Sequence, residues 1–192
     1  MALDLLYLAV LSALASGLVA LGADSRHGAA LRNLSFALLG VSGLAAVAGG
    51  GWALLAEARL HDTLRLGLPW LPWHLRLDPL SGFFALVVGL LVGAVSLYGP
   101  GYVREFVHGR QPLAVLGLFT CLFVAGMLLV LLADDAFAFM VAWELMSVSS
   151  YFLVAYQHQH APNRRAAFLY LLMAHVGGLA ILLGYGVLAG FG

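Results

Sequence analysis

Four side chains in the second half of the chain could move a proton between them. Glu144 lies near the centre of the apolar run AFAFMVAWELMSVSSYFLVAY, residues 136–156. A helix of that length crosses a hydrocarbon core of about 30 Å, where an ionised carboxylate is costly and therefore a candidate for function. Ser147 and Tyr151 follow at i+3 and i+7, so they share a helix face with Glu144 and could hydrogen-bond its carboxyl. His175 stands in the next apolar run. At a rise of about 1.5 Å per residue, Glu144 lies about 13 Å past Asp135 and His175 about 15 Å past Arg165. Both therefore fall near mid-membrane. Burial resists ionisation of a carboxyl and a neighbouring cation favours it, while imidazole exchanges protons near neutral pH. Glu144, Ser147, Tyr151 and His175 fit a short proton path through a helical bundle, the serine and tyrosine serving equally well as helix–helix hydrogen-bonding groups.

The elements that must hold these residues are membrane helices. Of 192 residues, 63% are hydrophobic and 9% charged, against roughly 25% charged in soluble domains. Mean hydropathy is +1.00. An all-α, polytopic bundle of about six spans follows, at residues 5–23, 33–56, 79–103, 113–133, 136–156 and 166–190, in one transmembrane domain. Asp4, in place of a basic leader, marks the first as a retained span. Nine Arg, no Lys and nine acids give zero formal charge, which offers no electrostatic basis for a nucleic-acid partner. The single Cys121 excludes an internal disulfide.

Alternate loops are basic: Arg26, His27 and Arg32; Arg104, His108 and Arg110; His158, His160, Arg164 and Arg165. The positive-inside rule puts these in the cytoplasm and the N-terminus outside a bacterial inner membrane. Residues 57–77, with Pro69, Trp70, Pro72 and Trp73, read as an external interfacial loop or hairpin. Asp78-Pro79 reads as a helix cap with proline at the first helical position, and Asp134 and Asp135 as caps of the fifth helix. Gly99-Pro100-Gly101 is expected to end or kink the third span, and Gly89-x-x-x-Gly93 to allow close helix contact. Gly49-Gly50-Gly51 weakens the second. His158-Gln159-His160 lacks the acid or thiolate that would complete a metal site.

The run MVAWELMSVSSYFLVAYQHQHAPNRRAAFLYLLMAHVGG, with RLDPLSGFFALVVGLLVGAVSLYGPGYV before it, resembles the antiporter-like proton-translocating subunits of complex I, Mrp antiporters and group 4 hydrogenases. The wording W-E-L-M-S-x-S-S-Y-F-L-V is most similar to the large membrane subunit of hydrogenase-4 and formate hydrogenlyase. The resemblance covers residues 78–178. It implies a longer protein of about fourteen helices with two inverted repeats, of which this chain, ending in apolar sequence, is the N-terminal portion. It also implies that Glu144 is the family's essential glutamate, paired with a lysine on a broken seventh helix, a lysine this sequence does not contain.

On that resemblance the chain binds no flavin, iron–sulfur cluster or metal and does no catalytic chemistry itself. Its partners are the lipid bilayer, other membrane subunits and, through them, soluble hydrogenase or dehydrogenase subunits. An Mrp-type cation/proton antiporter subunit and a passive membrane anchor are the alternatives. A weaker one rests on Gly40-Val41-Ser42-Gly43, similar to the G-x-S-G of rhomboid proteases, although rhomboids carry that serine on the fourth span and Ser42 is on the second.

Overall fold

A computed structural model of the chain describes residues 1–68, 70–107 and 111–191, with the side chains of residues 66 and 68 left aside. Pro69, His108 and Arg110, invoked above, lie outside the described residues. Among the described residues, six helices are long and apolar enough to cross a membrane. They are α1 (Ala2–Ala20), α2 (Gly28–Leu55), α3 (Pro79–Val103), α4 (Leu113–Leu132), α5 (Ala136–Val154) and α6 (Ala161–Phe191). A two-stranded antiparallel hairpin, β1 (Leu60–Leu68) and β2 (Leu71–Leu77), joins α2 to α3. The sheet is the departure from an all-helical chain. Gly67 (φ +99°) occupies its register shift, where a left-handed backbone excludes most side chains.

The helices pack in series: α3 on α2, α2 on α1, α1 on α4, α4 on α5, and α5 on α6. Between lipid-soluble helices, close packing and hydrogen bonds must replace the hydrophobic drive of water-soluble cores. Accordingly the core is alanine- and glycine-rich, with Ala9, Ala13, Ala46, Ala53 and Ala125 fully buried. A methyl group on Gly89 would sit 2.7 Å from the Gly43 carbonyl oxygen and 2.7 Å from the Val47 nitrogen. Gly93 contributes its backbone to the same contact, 2.7 Å from where a Gly43 methyl would sit. The Gly49–Gly51 run does not weaken α2. Gly49 packs against α1 and Gly50 against Gly82 of α3.

Serines supply the polar contacts. The Ser16 hydroxyl donates to the Ser35 carbonyl (2.6 Å) and accepts from the Cys121 thiol (3.2 Å). Ser42 is fully buried and donates to the Ala9 carbonyl at 2.7 Å. Its hydroxyl is thus engaged in the α1–α2 seam, which removes the protease reading of Gly40–Gly43.

The caps differ in part from expectation. Asp78 accepts the Ser81 N–H (2.8 Å) with Pro79 opening α3, and Asp135 accepts the Ala138 N–H (2.7 Å) to open α5. Asp134 does not cap. It pairs with Arg76 of β2 (Nε to Oδ1, 3.2 Å), while its N–H donates to the His74 carbonyl. Asp135 also accepts the His74 N–H at 2.7 Å. The hairpin is thereby pinned over the α4–α5 turn, and Tyr7 of α1 holds it from the other side through Asp62 (2.7 Å). α3 does not end at Gly99-Pro100-Gly101 but continues to Val103 with Pro100 inside it. Membrane helices tolerate such a proline because neighbouring groups re-satisfy the freed carbonyl.

Candidate functional site

The α5–α6 pair carries the acid and the imidazole. Asp135 sets the start of α5, so Glu144 falls midway along a 19-residue helix. Gly126 of α4 lets α5 approach closely, since a methyl there would lie 2.9 Å from the Met146 nitrogen. On α6, the buried residues are Ala167 and Gly178. Gly178 is the small residue that fits beneath Trp143 and Glu144. A methyl on it would lie 3.4 Å from Trp143 Nε1 and 3.5 Å from Glu144 Oε1. One helical turn before Gly178, His175 meets the carboxylate, with Nε2 3.5 Å from Glu144 Oε2.

The other ring nitrogen fixes the imidazole tautomer. His175 Nδ1 lies 2.9 Å from the Leu171 carbonyl oxygen, which can only accept, so Nδ1 carries a hydrogen. Nε2 then faces the carboxylate. Both side chains are partly uncovered, 41% for Glu144 and 47% for His175, on the flank of the bundle that α6 ends.

Ser147 and Tyr151 do not join this pair. Ser147 is buried at 3% exposure, and its carbonyl accepts from Ser150 (2.9 Å). Tyr151 packs edge-on against Phe152. Neither hydroxyl is within hydrogen-bonding distance of Glu144 among the described residues. A separate polar bridge spans α5 and α6 between Ser150 Oγ and Tyr170 OH at 2.7 Å. Trp143 Nε1 is buried with no hydrogen-bond partner among the described residues, a donor beside the acid. Trp143 is named above only within the W-E wording of the resemblance, and Ser150, Tyr170 and Gly178 are not singled out there. The signal for Gly178 was its i+3 spacing from His175; nothing local marked the Ser150–Tyr170 contact, which depends on the crossing of two helices. The loop histidines are held differently: Arg164 Nη1 donates to the carbonyls of His158 (2.8 Å) and Gln159 (3.2 Å).

Comparison with known proteins places the same segment. The family model for the NADH:quinone oxidoreductase/Mrp antiporter transmembrane region matches residues 133–192, which include Glu144, His175 and Gly178. An uncharacterized protein of Mycobacterium tuberculosis is 40% identical over 148 residues, 76% of this chain and 22% of its own length. Hydrogenase-4 component B of Escherichia coli is 41% identical over 111 residues, 58% of this chain and 16% of its own. A putative antiporter subunit of Staphylococcus aureus is 33% identical over 127 residues, 64% of this chain and 16% of its own. The chain thus spans about a fifth or less of these relatives. With six candidate spans, it is a multi-pass membrane protein whose residues 133–192 match the NADH:quinone oxidoreductase/Mrp antiporter transmembrane family.

Proposed function

We propose that this chain forms the acid-bearing part of a proton-translocating membrane subunit in a hydrogenase-type or complex I-like oxidoreductase complex. The observation that carries the reading is the Glu144–His175 pair, 3.5 Å apart on two membrane helices; in this reading the two side chains share one proton. The 41% identity to hydrogenase-4 component B supports the choice of complex. Flavins and iron–sulfur clusters belong to partner subunits in this reading, and this chain does no redox chemistry. A change of charge in a neighbouring subunit moves the shared proton between Glu144 and His175, and so along the membrane plane. Ser147 and Tyr151 lie on the acid's helix as hydroxyl stations once water enters. The lysine that would complete the pair in such subunits must come from outside this sequence. The basic loops face the cytoplasm of a bacterial cell and the hairpin faces out.

The test is Glu144→Gln in the intact complex, reconstituted in vesicles. Protons moved per electron pair should fall sharply while electron transfer persists. Unchanged stoichiometry would overturn the proposal. A second reading, a cation/proton antiporter subunit, is favoured by the identity to the staphylococcal antiporter subunit. Sodium-dependent collapse of a pH gradient without electron transfer would select it. A passive anchor predicts that Glu144→Gln alters neither flux.

A further inference from the structure

Away from the α5–α6 pair, a cleft of about 300 Å³ opens between α3 and α4, over α1 and α2. Its walls are apolar, with Leu39, Val95, Gly99 and Leu116 among them. A second cavity of about 100 Å³ adjoins it and shares Arg32, Phe36 and Val103. This smaller one is also lined by Asn33 and Arg104. Arg32 lies in the second turn of α2 and Arg104 just beyond α3, so both sit at the end of the bundle opposite the hairpin. Arg32 gives one hydrogen bond to the Ala23 carbonyl (3.0 Å), and neither arginine pairs with a carboxylate among the described residues. Asp24, at the same end of the bundle, accepts the N–H groups of Leu113 and Ala114.

Shape decides what fits. From Arg32 to Leu39 the cleft runs seven residues, about 10 Å along α2. Spread over that length, about 300 Å³ makes a short apolar slot. A single alkyl chain fits; Arg32 lines both the cleft and the adjoining cavity, and Arg104 lines that cavity.

We propose that this cleft binds an anionic phospholipid, one acyl chain lying between α3 and α4 and the phosphate at Arg32 and Arg104. The site is independent of the proton pair and would persist if that reading failed. Lipid selectivity tests it, using the intact complex in phosphatidylcholine vesicles doped with spin-labelled phosphatidylglycerol or spin-labelled phosphatidylcholine. Each arginine near a membrane surface strengthens anionic lipid association by about fivefold, so the pair should give phosphatidylglycerol a preference of about 25-fold at low salt. Arg104→Gln, which removes no hydrogen bond present among the described residues, should cut the preference about fivefold. Adding Arg32→Gln should bring it near unity. Val95→Trp, filling the cleft from a half-exposed position, should reduce the immobilised phosphatidylglycerol with both arginines intact. Equal retention of the two lipids, or a preference untouched by the arginine substitutions, would overturn the proposal. So would retention unaffected by Val95→Trp.

Discussion

Gly178 lies on α6 against Trp143 and Glu144, one helical turn from His175. A methyl group there would stand 3.4 Å from Trp143 Nε1 and 3.5 Å from Glu144 Oε1, which is tight but tolerable van der Waals contact. Gly178→Ala should therefore fold and couple almost normally. Gly178→Leu adds three further carbons into the indole and the carboxylate. Relief requires either a rotamer change at Trp143 and Glu144 or a separation of α5 from α6. Overpacking of this kind costs about 1–3 kcal/mol. On the proton path proposed above, the functional loss should exceed the stability loss, because a Glu144–His175 separation of 3.5 Å has little room to grow. A misplacement of about 1 Å in such a pair can cost about a hundredfold in rate. Gly126→Ala is the control. Its methyl would press on the Met146 backbone at 2.9–3.0 Å and push α5 from α4, but α6 moves with α5, so the pair survives. Thermal unfolding in detergent and proton flux in vesicles should separate the two: Gly126→Ala loses stability more than flux, and Gly178→Leu loses flux more than stability. The reasoning is refuted if Gly178→Leu couples normally, or if Gly178→Ala abolishes flux.

Other outcomes follow from the caps and the polar seams. Asp135→Ala removes both the α5 cap and the hydrogen bond to His74, and should destabilise by about 1–2 kcal/mol, with Asp135→Asn retaining most of it in thermal unfolding. The Ser81 N–H, helped by the Arg76 guanidinium, holds the Asp78 carboxyl below its ordinary value of 3.8. Its contribution is fully present above about pH 4 and is lost as pH falls through the lower folded value. Acid titration of stability should therefore show a shallower loss in Asp78→Asn. Ser42→Ala removes a buried hydrogen bond worth about 0.6 kcal/mol in membrane helices and should leave proton flux intact. Flux that vanished with the Ser42 hydroxyl would give it a role outside the α1–α2 seam.

Helices, caps and the acid were legible because each is announced locally. Asp78-Pro79 names a helix start, and an acid within 21 apolar residues draws attention by its cost. The depth estimate from helical rise brought Glu144 and His175 to the same level, and the structure sets them 3.5 Å apart. What depended on helix crossing was not legible. Ser147 shares a face with Glu144 on a wheel, yet α5 presents it to the buried side. Ser150 and Tyr170 are twenty residues apart and meet only because α5 and α6 pack at one angle. Asp134 looked like a cap beside Asp135, but Arg76, distant in sequence, claims it. Pro100 reads as a helix breaker by the rules of water-soluble chains. Inside a bundle it is carried within α3, at the rim of the smaller cavity beside Arg104.

The most direct test of a proton shared by Glu144 and His175 is infrared difference spectroscopy of the reconstituted complex, recorded as electron transfer starts. The account predicts a carboxyl band that gains or loses intensity with turnover, is absent in Glu144→Gln and moves in His175→Gln. A spectrum with no carboxyl change in the unmodified protein, or one identical in His175→Gln, would contradict it.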